Sequence, residues 1–252
     1  MKRLSSLLIA GVLLSLAGCY TNPVTGRKSL VLLSQGEEVT LGAKSFQDIR
    51  QREKVSEDPA ANARVNRIGR RIADAVGSEL PDAKWEFVVF ESKQLNAFAL
   101  PGGKVGVYTG LLQLAENDAE LATVMSHEIG HVIARHGAER MSEALVIAGV
   151  GALGSAVVEA KTEDQRTRQL FDLAYGGGTT LLRVLPHSRS NESEADRMGA
   201  IYAARAGYDP RAAITFWQKM AAQKKALESG PAGSGGLSAL LSTHPTDEKR
   251  IA

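Results

Sequence analysis

A single cysteine, Cys19, is present among 252 residues. No disulfide can close within the chain, so the fold has to be held by its core and by any metal it binds. The same shortage argues against the cysteine-rich structural zinc sites that four protein ligands close. Charge of one sign is not in excess: 30 basic residues face 28 acidic ones, which gives no electrostatic footing for nucleic acid. Long apolar runs are missing too. Leu4 to Leu16, and the uncharged stretch Ala144 to Val158 of 15 residues, both fall below the ~20 residues that a membrane-crossing helix needs. No internal repeat is visible. What is there is an ordinary 44% apolar content, in a chain long enough to bury a core as one large domain or two small ones.

The N-terminus reads as a targeting segment. Met1-Lys2-Arg3 is basic, Leu4 to Leu16 is apolar, and Leu16-Ala17-Gly18-Cys19 follows, the order of a secretory signal. The Leu-Ala-Gly-Cys ending resembles a bacterial lipobox. That resemblance implies cleavage before Cys19 and lipid on its sulfur and new amino group, which would tether a soluble domain to a bilayer. A plain signal peptide with an incidental cysteine is the alternative. Cleavage would remove Lys2 and Arg3 and leave basic and acidic residues balanced at 28 each. Tyr20 stands where an Asp would favour inner-membrane retention in enteric bacteria, which implies the outer membrane, facing the periplasm. The expected organisation is residues 1–18 as lipoprotein signal peptide, 19–33 as lipidated tether and 34–252 as one folded domain.

Ser34 and Glu37 have capping-box spacing and predict a helix to about Lys54. Asp58-Pro59 opens a second helix with Val65, Ile68, Ile72 and Val76 on one face. Trp85 to Phe90, Leu95 to Leu100 and Lys104 to Tyr108 read as strands, the last two joined by the turn Pro101-Gly102-Gly103. Asn117 and Glu120 open a long helix expected to continue to His136, before Gly137. Residues 142–160 predict a buried or lid-like helix. Further helices are expected from Ser190 to Ala206, stopped by Gly207, and from Asp209-Pro210 to about Glu228. The fold class is α+β: mostly helical, with a small mixed sheet and a central helix carrying the chemistry.

That central helix contains His127-Glu128-Ile129-Gly130-His131. Residues four apart share a helix face, so both imidazoles can reach one ion. Glu128 lies beside the water such an ion holds, and can take its proton and pass it to a leaving amine. A chance H-E-x-x-H in a chain of this length is an event on the order of one in a hundred, and placement in a capped helix lowers that further.

The third ligand decides the subclass. A His six residues after His131 would occupy position 137, which is Gly; His136 is one residue off, on a helix with no evident reason to break. A Glu from a later helix is the other solution. Asn191-Glu192-Ser193-Glu194-Ala195-Asp196 supplies it, 61 residues after His131. Glu192 would ligate one zinc ion, and Asp196, four residues on and on the same face, would accept a hydrogen bond from a ligand imidazole. Glu194 points elsewhere on the helix and is the weaker candidate.

With these motifs in hand, the chain resembles the Oma/Ste/HtpX family of gluzincin peptidases, nearest its bacterial lipoprotein branch. The resemblance rests on Asn96-Ala97-Phe98-Ala99-Leu100-Pro101-Gly102-Gly103, on His127 to His136, on Ser188 to Asp196 and on Ser242-Thr243-His244-Pro245. It implies a zincin-like fold and an envelope quality-control endopeptidase whose substrates are unfolded or misassembled envelope proteins. It implies further that Asn96, Ala97, Phe98 and Ala99 form an edge strand above the metal, on which a substrate peptide could pair. Arg189 would help stabilise the oxyanion, and His244 would either do the same or serve as an extra ligand; a structural salt bridge for the one and a helix-start residue for the other are the plainer readings. His136 and Arg140 are expected to pack or to support ligands rather than to ligate. The competing function is a chaperone-like outer-membrane assembly factor whose metal site is blocked by His244 and residues 142–185.

Overall fold

The computed structural model describes residues 18–147, apart from position 82, and residues 188–228. The expected helix at 142–160 lies mostly outside these residues, and His244 wholly so.

The chain opens with a hairpin, β1 (Cys19–Thr21) and β2 (Lys28–Leu30), paired antiparallel. Helix α1 (Gln35–Arg52) follows, and its capping box is complete: Ser34 accepts from the Glu37 amide while the Glu37 carboxylate accepts from the Ser34 amide. Helix α2 (Pro59–Val76) starts at an Asp58 cap with Pro59 in its first turn. Strands β3 (Glu86–Phe90), β4 (Ala97–Leu100) and β5 (Lys104–Tyr108) form a mixed sheet in the order β3-β5-β4, with β3 parallel and β4 antiparallel to β5. Helix α3 (Thr109–Leu114) leads into α4 (Asp118–Ile133), then α5 (His136–Ile147). Helices α6 (Arg189–Arg205) and α7 (Ala212–Glu228) complete the described chain. Among the described residues no helix is long and apolar enough to cross a membrane.

Strand alternation builds a layer on each face of the sheet. Phe87, Val89, Ala97, Ala99, Val105 and Val107 face the main core, with α2, α4, α6 and α7. Phe90, Phe98, Leu100 and Tyr108 face a second cluster closed by Leu41, Phe46 and Ile49 of α1. Helix α4 is therefore enclosed by β4, α2, α6 and α7, which is why its residues from Glu120 to Ile133 are all buried.

Two expectations change. The segment expected as a tether is, from Cys19 to Leu30, a hairpin docked on the domain: the Tyr20 hydroxyl donates to the Ile133 carbonyl at 2.6 Å. The long helix does not run to His136 either. It ends at Ile133, and Arg135 adopts φ 56°, a left-handed conformation that costs a non-glycine residue about 1–2 kcal/mol. Contacts from distant elements hold it there. The Arg135 guanidinium bonds to the buried Glu38 carboxylate and to the Leu33 carbonyl, and stacks 5.0 Å from the Tyr20 ring centre. Gly137, taken as the stop, lies inside α5.

Candidate metal centre

Helix α4 presents His127 and His131 one turn apart, and their Nε2 atoms stand 3.0 Å from each other. Helix α6 crosses this face of α4 at close range. An ideal Cβ on Gly199 would lie 3.0 Å from His127 Cα, and one on Gly130 would lie 3.2 Å from the Ala195 carbonyl. Small residues on both helices thus let the backbones approach, and α6 delivers Glu192. One carboxylate oxygen is 3.5 Å from His127 Nε2 and the other 3.4 Å from His131 Nε2.

These separations suit a metal. Zinc–ligand bonds of about 2.0–2.1 Å in tetrahedral array set neighbouring ligand atoms ~3.3 Å apart, close to the three distances observed. The three residues are the metal-capable cluster among the described residues, and all three are buried. Three protein ligands of His-His-Glu type leave one position for water or substrate, as catalytic rather than structural zinc sites do.

Asp196 Oδ1 lies 2.9 Å from His127 Nδ1. Burial opposes a charge on His127, yet Asp196 and Glu192 outweigh burial and lift its pKa to about 9. Burial pushes His131 well below the usual value. Glu128 is buried on α4 beside the ligand pair. The Trp217 ring of α7 packs edge-on against His127, 5.5 Å between centres. No pattern in the sequence pointed to Trp217.

The remaining candidates fall as follows. Strand β4 lies at the edge of its sheet and packs on α4. The Phe98 side chain is turned into the aromatic cluster with Phe90 and Tyr108. Asn96 is buried, its carbonyl accepts from the Tyr108 amide, and its Nδ2 finds no partner among the described residues. Arg189 is the exposed first residue of α6, one turn before Glu192. Glu194 points elsewhere on the helix than Glu192, as expected, and is buried outside the cluster of metal-capable residues. Burial would raise its pKa, but donors from His136, Thr25 and Arg27 hold it near 2. Only the unexpected bend at Arg135 brings His136 to it.

The chain is similar to several known proteins. Mitochondrial metalloendopeptidase OMA1 of Arabidopsis thaliana is 39% identical over 178 residues, covering 71% of this chain and 32% of the relative. The beta-barrel assembly-enhancing protease of Escherichia coli K12 is 30% identical over 235 residues, covering 92% of this chain and 46% of the relative. Mitochondrial metalloendopeptidase OMA1 of Saccharomyces cerevisiae is 31% identical over 241 residues, covering 91% of this chain and 66% of the relative. The chain spans about a third to a half of the length of the first curated relatives it matches. The family model described as "Peptidase family M48" matches residues 59–252. The chain belongs to peptidase family M48, a family of zinc-dependent metallopeptidases.

Proposed function

We propose that this chain is a zinc-dependent endopeptidase that hydrolyses misfolded or unassembled proteins of a bacterial envelope. The observation that carries the reading is the convergence of His127, His131 and Glu192 within 4.8 Å of one another at a buried point. Zinc held there would polarise a scissile carbonyl and bring the pKa of a water molecule to about 7. Glu128, next to the ligand pair, is assigned the base: its carboxylate takes the proton of the attacking water and returns it to the leaving amine nitrogen. Asp196 holds His127 with its hydrogen on Nδ1, so that Nε2 keeps its lone pair for the metal.

Strand β4 is the proposed peptide rail. The Tyr108 amide donates to the Asn96 carbonyl at 3.0 Å, and antiparallel alternation then turns the main-chain groups of Phe98 and Leu100 toward β5 as well. Those of Ala97 and Ala99 are left on the outer edge, where an extended substrate can add as a strand. Such pairing reads backbone more than side chains, which suits substrates recognised for being unfolded. Arg189 and His244 are assigned supporting roles at the oxyanion. A lipid on Cys19 would hold the enzyme at the outer membrane on its periplasmic side, a location supported by the lipobox resemblance and by similarity to the beta-barrel assembly-enhancing protease of Escherichia coli.

Cleavage of an unfolded protein such as casein by the purified zinc-loaded chain tests the reading. Glu128→Gln should abolish cleavage. If the parent binds casein and never cuts it, the assembly-factor reading replaces this one.

A further inference from the structure

The hairpin that opens the chain reaches the metal ligands through an unbroken run of hydrogen bonds. Its turn is closed by the Asn22 amide donating to the Arg27 carbonyl at 2.8 Å, and by Asn22 Oδ1 accepting from the Val24 amide. That leaves Asn22 Nδ2 free to donate to Glu194 Oε1 at 2.9 Å. The Thr25 hydroxyl and Arg27 Nε donate to the same carboxylate. Arg27 uses its two terminal nitrogens on Glu139 of α5, at 2.7 and 2.8 Å, a bidentate pair that fixes the guanidinium plane. Glu194 then receives His136 Nε2 at 2.9 Å, and His136 Nδ1 lies 2.8 Å from His131 Nδ1.

Tautomers give this run a direction. His131 Nε2 faces His127 and Glu192, so in the metal-bound state its hydrogen sits on Nδ1. His136 must accept that hydrogen at its own Nδ1, and so carries its hydrogen on Nε2. Nε2 meets a carboxylate, an acceptor with no hydrogen to offer. Every link has one donor and one acceptor, and only one assignment satisfies all of them. The two imidazole ligands are thus oriented differently: His127 directly by Asp196, His131 through a second imidazole.

We infer that the N-terminal hairpin is a positioning element of the metal centre: Arg27, with Asn22 and Thr25, fixes Glu194, Glu194 fixes His136, and His136 fixes the ring and tautomer of His131. This rests on the reading of His131 as a zinc ligand. Were the network only a staple for the hairpin, its loss would lower stability and leave metal affinity alone.

The test is zinc affinity of the full chain by competition with a chromophoric chelator, alongside the visible spectrum of the cobalt-substituted protein and the melting temperature of the metal-free form. Arg27→Ala and Glu194→Ala should each weaken zinc binding roughly 10- to 100-fold, the usual cost of removing an outer partner of a ligand, and should shift the cobalt bands. Arg27→Lys, which keeps a donor, should recover part of the affinity. Arg67→Ala, which breaks an ion pair with Asp118 away from the centre, should leave zinc affinity and the cobalt bands unchanged. If Glu194→Ala does not fold, Glu194→Gln decides, with a loss of about tenfold expected. Zinc affinity within twofold of the parent in the folded Arg27 and Glu194 variants, with cobalt bands unmoved, overturns the inference. Failure of the underlying reading looks different: zinc absent from the parent, or unaffected by Glu192→Ala.

Discussion

Replacing Gly199 with alanine sets two opposing effects against each other. Alanine favours a helix over glycine by about 1 kcal/mol. The new methyl, however, would stand 3.0 Å from both His127 Cα and His127 N, and 3.3 Å from Ser126 C. Carbon atoms rest at about 3.5–4.0 Å. These neighbours are backbone and cannot rotate aside, so α6 would have to withdraw from α4 by roughly half an ångström. Overpacking of this kind costs about 1–3 kcal/mol, so we expect the chain to lose about 1 kcal/mol net in chemical denaturation of the metal-free form. The larger effect should fall on the metal. Asp196 and Glu192 stand one and two turns earlier on α6, and withdrawal lengthens the 2.9 Å contact with His127 and the 3.4 and 3.5 Å separations of the ligand atoms. Zinc affinity by chelator competition should fall about tenfold, within the range for disturbed ligand support. A Gly199→Ala protein stabilised by about 1 kcal/mol, with unchanged zinc affinity, would refute the close packing and the reasoning built on it.

Other outcomes follow from the same geometry. Arg135→Gly should be more stable than Arg135→Ala by about 1 kcal/mol, because both lose the Glu38 contact and only glycine escapes the left-handed penalty; equal stabilities would contradict this. Asp118 pairs with Arg64 and Arg67 across α4 and α2; burial raises its pKa, the two arginines outweigh burial, and the net shift is downward. A depressed carboxylate stabilises above its unfolded value of about 3.9 and loses that contribution as pH falls through its folded value. Asp118→Asn should therefore cost up to about 1 kcal/mol at pH 7, as exposed pairs do, and nothing at acid pH where both proteins remain folded; a cost independent of pH would exclude the charge as its source. In the proteolysis assay Glu128→Gln should lose cleavage while its metal-free melting temperature stays close to the parent's.

Much of the centre was legible in the sequence because its determinants are local. Ser34 with Glu37, Asp58 with Pro59 and Asn117 cap helices through contacts a few residues away. His127 and His131 face one point because helix geometry requires it, and Glu192 with Asp196 obeys the same spacing. What escaped depends on distance along the chain. Nothing in Ala134-Arg135-His136 opposes a helix; the break is held by Glu38, 97 residues earlier. The hairpin strands are three residues each, too short for a periodic signal, and their anchors on Ile133, Glu139 and Glu194 come from elsewhere in the fold. Two residues along a helix turn the Glu194 side chain roughly 200° away from Glu192, as expected; what the sequence did not show is that His136, after the bend at Arg135, and Asn22 meet it there.

Zinc stoichiometry by mass spectrometry, after equilibration against a zinc buffer, addresses the ligand set with the fewest intermediate assumptions. The parent and Glu128→Gln should each carry one zinc per chain, whereas Glu192→Ala should carry almost none at the same free zinc. A Glu192→Ala protein that remains folded and still holds a full equivalent of zinc would mean that the metal is held by other residues.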